Sequence, residues 1–190
     1  LKSRKSAALP GAKIYPPTLT NSDLANIKIA KEMGVTGVMQ PFVRDHSDLE
    51  CVKEALREAG AEDIRLFAKI ENMDGVRKLE KLLPAADEIV IARGDLGNAV
   101  HLWDLPGVQR QISEKCRAAG KPFMVVTQML ASMERSPVPT RAEVNDIFHA
   151  VMDGAASIMV TGETAVGDYP VEVIRYMVNT VRSAEKEENR

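Results

Sequence analysis

A chain of 190 residues is long enough to form one domain with a sizeable core. Its 45% hydrophobic and 27% charged residues are ordinary for a globular protein, and a net charge of −2 excludes the basic field that nucleic acid or an anionic membrane demands. Two cysteines, Cys51 and Cys116, far apart and with no CxxC pair, exclude a disulfide framework and a zinc site and fit a reducing, cytoplasmic setting.

The N-terminal "LKSRKS" is basic, but no hydrophobic stretch follows, so it does not read as a signal peptide. No apolar run approaches the ~20 residues of a membrane span. Without an initiator methionine, the chain reads as a fragment or a trimmed piece.

Taken in order, Thr20 with Asp23 marks the start of a first helix. A first strand is expected over "VTGVMQ" (35–40), followed by a helix with Leu49, Val52, Leu56 and Ala59 on one face. Further strands are expected over "IRLFAKI" (64–70), "EIVIAR" (88–93), "FMVVTQ" (123–128) and "SIMVTG" (157–162). Between the third and fourth, Val108, Ile112, Cys116 and Ala119 share a second helical face. Gly34, Gly60, Gly120 and Gly154 each end a helix shortly before a strand, as C-caps free to take positive φ. The closing "AEKEENR" reads as a solvated helix end.

Strand starts about 25 to 35 residues apart describe repeated βαβ units, hence an α/β fold with a parallel sheet. Two architectures fit: an open doubly wound sheet, or a (β/α)8 TIM-type barrel represented by only five of its strands. No GxGxxG follows the first strand, which weighs against a dinucleotide-binding sheet. Residues 1–190 are expected to form a single domain.

Both architectures gather ligands at the C-terminal strand ends. Those ends read "QPFVRD", "AKIEN", "ARGDLG", "TQMLASM" and "VTGETAVGDYP", rich in polar and charged residues and glycine. The opposite loops ("AEDI", "PAAD", "AGKP") are plainer. Glu71 and Asp95 follow consecutive strands, which lie about 4.8 Å apart, so the two carboxylates can grip one hard divalent ion such as Mg²⁺ or Mn²⁺. Either carboxylate alone fits helix capping equally well. Lys69, two residues before Glu71 on the same strand face, suits a phosphoryl clamp, a Schiff base or a simple pair with Glu71. Gly94 and Gly97 allow close backbone approach to an anion, and Arg93 is expected to touch substrate or to pair with a carboxylate. Thr127 and Gln128 end the fourth strand, Thr161 and Glu163 follow the fifth, and the hydroxyls there suit a substrate carboxylate, a proton relay or strand-end hydrogen bonds. His46, His101 and His149 fit no metal spacing and are expected at the surface. Met124, Met129, Met133, Met152 and Met159 are expected to fill core gaps, and Trp103 to pack a loop or an interface.

The runs "LFAKIENMDGVRKLEKLL", "IVIARGDLG", "KPFMVVTQMLASM", "PVPTRAEVNDIFHAVMDGA" and "IMVTGETAVGDYPVEVI" follow one another as in pyruvate kinase, and the resemblance extends from "LPGAKI" to the C-terminus. It implies a phosphotransferase that moves phosphoryl from phosphoenolpyruvate to ADP, giving pyruvate and ATP in glycolysis. It also implies strands four to eight of a (β/α)8 catalytic domain, without the family's lid and C-terminal domains. By resemblance, Lys69 steadies the phosphoryl group in flight, and Glu71 and Asp95 hold Mg²⁺ or Mn²⁺. The backbone at Ala92, Arg93, Gly94 and Asp95, with the Thr127 hydroxyl, receives the pyruvate carboxylate. Thr161 and Glu163 belong to the proton relay. The family's K⁺ ligands and its phosphate-binding arginine belong to segments upstream of this match.

The chain departs from the family pattern at four places. Pro41 stands for the usual serine of "SFIR", Thr161 for a serine, Val166 for the lysine of "GETAKGDYP", and "NAVHLWDLPG" for the "IEIP" continuation. Two rivals to the kinase reading are a metal-dependent lyase or aldolase acting on a pyruvate enolate, and a non-catalytic degenerate paralogue or fragment. A five-stranded piece of barrel exposes two strand edges, so association with further barrel strands, or as a homo-oligomer, is expected.

Overall fold

The computed structural model describes residues 16–188. The basic N-terminal hexapeptide, the "LPGAKI" start of the family match and the last two residues lie outside that range.

Thr20 opens α1 (Asn21–Ala30) with the expected capping box: its hydroxyl accepts from the Asp23 N–H, and the Asp23 carboxylate accepts from the Thr20 N–H. The strands are β1 (Gly37–Gln40), β2 (Arg65–Ile70), β3 (Glu88–Ala92), β4 (Phe123–Val126) and β5 (Ser157–Met159). The connections carry α2 (His46–Glu58), α3 (Met73–Arg77) with α4 (Leu79–Leu82), α5 (Arg93–Ala99) with α6 (Leu105–Ala118), and α7 (Arg141–Met152). After β5 come α8 (Gly162–Ala165) and α9 (Pro170–Glu188). Gly34, Gly60, Gly120 and Gly154 take positive φ at the helix ends where capping was expected.

All neighbouring strands are parallel, and the sheet order is β1-β2-β3-β4-β5. A doubly wound sheet reverses its strand order at a switch point. Here every new strand adds on the same side, as in a (β/α) barrel, so the barrel-type architecture is the one found.

Alternation along each strand divides the side chains between two faces. Leu66, Ala68, Ile70, Ile89, Ile91, Phe123 and Val125 face the helices and join Leu49, Val52, Leu56, Ile112, Cys116 and Ile147 in the main core. The other face carries a smaller cluster of Val90, Ala92 and Val126, with half-buried Phe67, Met124 and Met159 against it. In a barrel this face is the interior. A Cβ on Gly37 would lie 2.8 Å from the Phe67 ring, so only glycine lets β1 pass that ring.

Several elements are shorter than the apolar pattern suggests. Thr127 and Gln128 leave the fourth strand with φ of 81° and 56°, and the fifth strand ends at Met159 rather than running to Gly162. Met129 and Met133 are fully buried as expected, whereas Met152 is 37% exposed at the end of α7 and fills no core gap. Ala119 is also exposed, because the second helical face ends with α6 at Ala118. Trp103 stacks on His101 within its own loop at 4.7 Å and is otherwise exposed.

Beside the start of α2, Arg44 and Asp48 form a bidentate pair, with Arg44 Nη2 and Nε donating at 2.6 and 3.0 Å and the Thr18 hydroxyl donating at 2.6 Å. Burial pushes the Asp48 carboxyl up, but these donors outweigh it and hold the group down at about 2, against an ordinary 3.8. A depressed folded-state pKa gives stability that is complete above the unfolded value and is lost as pH falls through the folded one. Acid titration of the unfolding free energy should therefore show a loss between pH 3.8 and about 2. Asp48→Asn should remove that component, costing about 2 kcal/mol at neutral pH in a denaturant melt.

Candidate active site

At the C-terminal end of β2, Glu71 is only 4% exposed although it carries a carboxylate. A charge in such a place needs partners. Lys69 Nζ lies 2.7 Å from Oε1, and the Phe42 backbone N–H donates to Oε2 at 2.7 Å. Phe42 reaches that position with φ of 52°, in the left-handed region that ordinary side chains avoid. The loops after β1 and β2 are bound further: Val43 N–H donates to the Lys69 carbonyl at 3.3 Å, and Asn72 Nδ2 donates to the Val43 carbonyl at 3.1 Å. Asn72, not Glu71, caps the next helix, its Oδ1 accepting from Gly75 N–H. The capping alternative for Glu71 is thereby removed, and the pairing with Lys69 is present.

Ile70 registers with Ile91, so Glu71 lies beside the end of β3, where Ala92 leads directly into α5. Asp95 occupies the first turn of α5, exposed, and its carboxylate makes no hydrogen bond or ion pair among the described residues. Those residues contain no group of three or more His, Cys, Asp or Glu that could hold a metal ion. The available donor set is two carboxylates on adjacent strand ends. Hard oxygen donors that leave most positions to water and substrate suit Mg²⁺ or Mn²⁺.

Thr127 follows β4 with φ of 81°, and its hydroxyl has no partner among the described residues. Gly94 lies against it: a Cβ there would come within 3.0 Å of Thr127 Cγ2 and 3.7 Å of Oγ1. Any side chain at 94 would push the threonine away. The Arg93 guanidinium points elsewhere. Nε and Nη2 donate to the Thr127 carbonyl at 3.1 and 2.6 Å, Nη1 donates to both Asp146 oxygens at 2.8 and 2.6 Å, and Nη2 also meets Met129 Sδ. With its donors engaged in this way, Arg93 takes the carboxylate-paired role of the two expected, and only its backbone is left to meet a ligand.

Behind Thr161, Glu163 is 2% exposed, its Oε2 accepting from Thr161 N–H at 2.8 Å and its Oε1 from Leu130 N–H at 3.2 Å. The Thr161 hydroxyl lies 3.5 Å from the same carboxylate, at the outer limit of a hydrogen bond. The Leu130 contact ties the β5 end to the segment after β4. Gly162 and Gly167 let Glu134 into the same corner, since a Cβ on Gly162 would meet Glu134 Oε1.

The structure thus brings Lys69 and Glu71 into direct contact, sets Thr127 against Gly94 in the turn that holds Asp95, and places Thr161 with Glu163 two strand ends further along. Phe42, Asn72 and Asp146 were not singled out from the sequence. "NMDG" carried a usable signal for Asn72, an N-cap residue followed by glycine three positions on. Nothing local marks Phe42 or Asp146, whose partners lie 29 and 53 residues away.

The family model described as pyruvate kinase, barrel domain, matches residues 1–174. The chain is 41% identical over 186 residues to the pyruvate kinase of Bacillus licheniformis, covering 98% of this chain and 32% of that protein. It is 41% identical over 177 residues to that of Geobacillus stearothermophilus (93% and 30%), and 42% identical over 185 residues to that of Dictyostelium discoideum (97% and 36%). The chain spans about a third of the length of these relatives. Matched along nearly its whole length to the barrel domain, the chain belongs to the pyruvate kinase family.

Proposed function

We propose that the C-terminal face of this sheet is the phosphoryl-transfer site of a pyruvate kinase, moving phosphoryl from phosphoenolpyruvate to ADP to give pyruvate and ATP. The observation that carries the reading is the Lys69–Glu71 pair, at 2.7 Å at the end of β2, with the unpartnered carboxylate of Asp95 in the first turn after the adjacent strand β3. An ammonium and two carboxylates at two adjacent strand ends make a site that takes both a phosphoryl group and its counter-ion. In this reading the chain is one partial barrel domain. Its inner sheet face and the outer edges of β1 and β5 meet further barrel strands or a second copy. Among the described residues no helix is long and apolar enough to cross a membrane, and the free cysteines go with a reducing, cytoplasmic setting.

A Mg²⁺ or Mn²⁺ ion held by Glu71 and Asp95 would supply charge neutralisation for the phosphoryl and enolate oxygens. Lys69 swings its ammonium from Glu71 to the oxygens of the phosphoryl group as it leaves for ADP. The Thr127 hydroxyl and the backbone at Gly94 and Asp95 receive the carboxylate of the substrate and hold its enolate in place. One proton then adds to the methylene carbon of that enolate to make pyruvate. The Thr161 hydroxyl relays it, taking a proton from solvent water as it gives up its own, with the buried Glu163 carboxylate orienting the hydroxyl and its backbone.

The direct test follows pyruvate and ATP formed in equal amounts from phosphoenolpyruvate, ADP and Mg²⁺. Pyruvate without ATP would move the site to enolate lyase chemistry, and metal binding without turnover would make it a non-catalytic module. Lys69→Met should lower phosphoryl transfer by at least about 10³-fold while Mn²⁺ still binds, and unchanged turnover would remove Lys69 from the mechanism. Asp95→Asn should weaken Mn²⁺ at least roughly tenfold in a calorimetric titration, with no change in melting temperature because Asp95 supports no other contact. Glu71→Gln should weaken Mn²⁺ as well, but with a loss of stability, since it also breaks the Lys69 pair. Val166, 66% exposed where the family pattern has lysine, leaves nucleotide phosphates without that cation. Val166→Lys should tighten ADP by about fivefold in the same kind of titration.

A further inference from the structure

The turn that carries the Thr127 hydroxyl is strained. Thr127 and Gln128 take φ of 81° and 56° in succession, where neither residue type is at ease. Left to itself, such a turn relaxes toward extended backbone and continues β4, as the apolar pattern of "FMVVTQ" suggests. The same relaxation would turn the Thr127 hydroxyl away from Gly94.

The restraint comes from across the fold. The Thr127 carbonyl accepts from two Arg93 nitrogens, at 2.6 and 3.1 Å. Both oxygens of Asp146, on α7, accept from the single nitrogen Nη1 of Arg93 and hold that end of the guanidinium. The Arg93 side chain is 13% exposed and that of Asp146 34%. A planar cation held by a carboxylate at Nη1 leaves its Nε–Nη2 edge turned to the other side. That edge points at the Thr127 carbonyl.

We infer that Asp146 is a positioning residue: through Arg93 it holds the strained Thr127–Gln128 turn and so sets where the Thr127 hydroxyl meets a substrate carboxylate. The inference rests on the functional reading above for its consequence, but not for its geometry. Asp146 touches no reacting atom. Its effect on binding passes through the turn, so a second change that eases the turn should make Asp146 matter less. Gln128 supplies that change. It is exposed, has no assigned contact to a ligand, and glycine in its place takes positive φ without strain.

The experiment compares wild type, Asp146→Ala, Gln128→Gly and the double variant by calorimetric titration with phosphoenolpyruvate in Mg²⁺, by Mn²⁺ titration, and by the amide resonances of residues 127 and 128. Asp146→Ala should weaken phosphoenolpyruvate about tenfold, leave Mn²⁺ affinity unchanged and shift both amides. Gln128→Gly alone should bind as wild type, and in the double variant the loss should shrink to about threefold or less. Unmoved amides in Asp146→Ala, or an equal loss in both backgrounds, would overturn the inference. If phosphoenolpyruvate binds to no variant, wild type included, while the amides shift and return as described, the positioning stands and the functional reading falls.

Discussion

The buried carboxylate of Glu71 is the constraint around which one end of this sheet is arranged. A charged group 4% exposed survives only with donors on both oxygens. The lysine two residues earlier supplies one, because alternation puts both side chains on one face. The other comes from a backbone N–H on the neighbouring strand end, and it arrives only because Phe42 bends into the left-handed region. Three more features serve the same junction. Asn72 caps α3 while its amide holds the Val43 carbonyl, Val43 N–H reaches back to Lys69, and a Cβ on Gly75 would meet the Val43 carbonyl at 2.7 Å. An unfavourable dihedral, a helix cap and a missing side chain together hold one carboxylate still.

A buried carboxylate does not by itself mark a site, and the other end of the neighbouring strand shows why. Glu88, at the start of β3, is 5% exposed, much like Glu71. It accepts from Arg65 on β2 at 3.1 Å and from the Ser157 hydroxyl on β5 at 2.6 Å, across the inner face. Among the described residues, none beside it takes positive φ. Glu88 is a satisfied structural group that ties three strands together. Glu71 differs because its neighbours are incomplete: Asp95 and the Thr127 hydroxyl have nothing to bind among the described residues. Those unpartnered groups, more than the charge itself, suit that end of the sheet to the chemistry proposed for it.

How far the sequence could be read follows from the range of each interaction. Strands, helix-ending glycines and the Thr20 cap depend on periods and neighbours of a few residues, and all were legible. Lys69 with Glu71 was legible for the same reason, being a pair two residues apart on one strand. The limit of β4 was not, because "FMVVTQ" is apolar enough to continue. It stops where Arg93, 34 residues earlier in the chain, takes the Thr127 carbonyl. The role of Arg93 was open between substrate and structure until Asp146, 53 residues away, was seen to hold it. Burial of individual methionines was equally hidden, since Met129 is fully buried in the main core whereas Met152 is 37% exposed at the end of α7.

The distribution of strain around the sheet separates support from function. Positive φ before β1, β2, β4 and β5 is carried by Gly34, Gly60, Gly120 and Gly154, where glycine adopts it without penalty. Beyond the C-terminal ends of β1 and β4 the same backbone region is occupied by Phe42, Thr127 and Gln128. Selection for stability alone would have placed glycine at both ends, since each side chain in that region costs about 1 kcal/mol or more. A threonine hydroxyl set against Gly94, and a backbone N–H delivered to Glu71 from the rigid turn beyond Pro41, are what those positions retain. The glycine end closes the fold, and the strained end carries the groups of the proposed site.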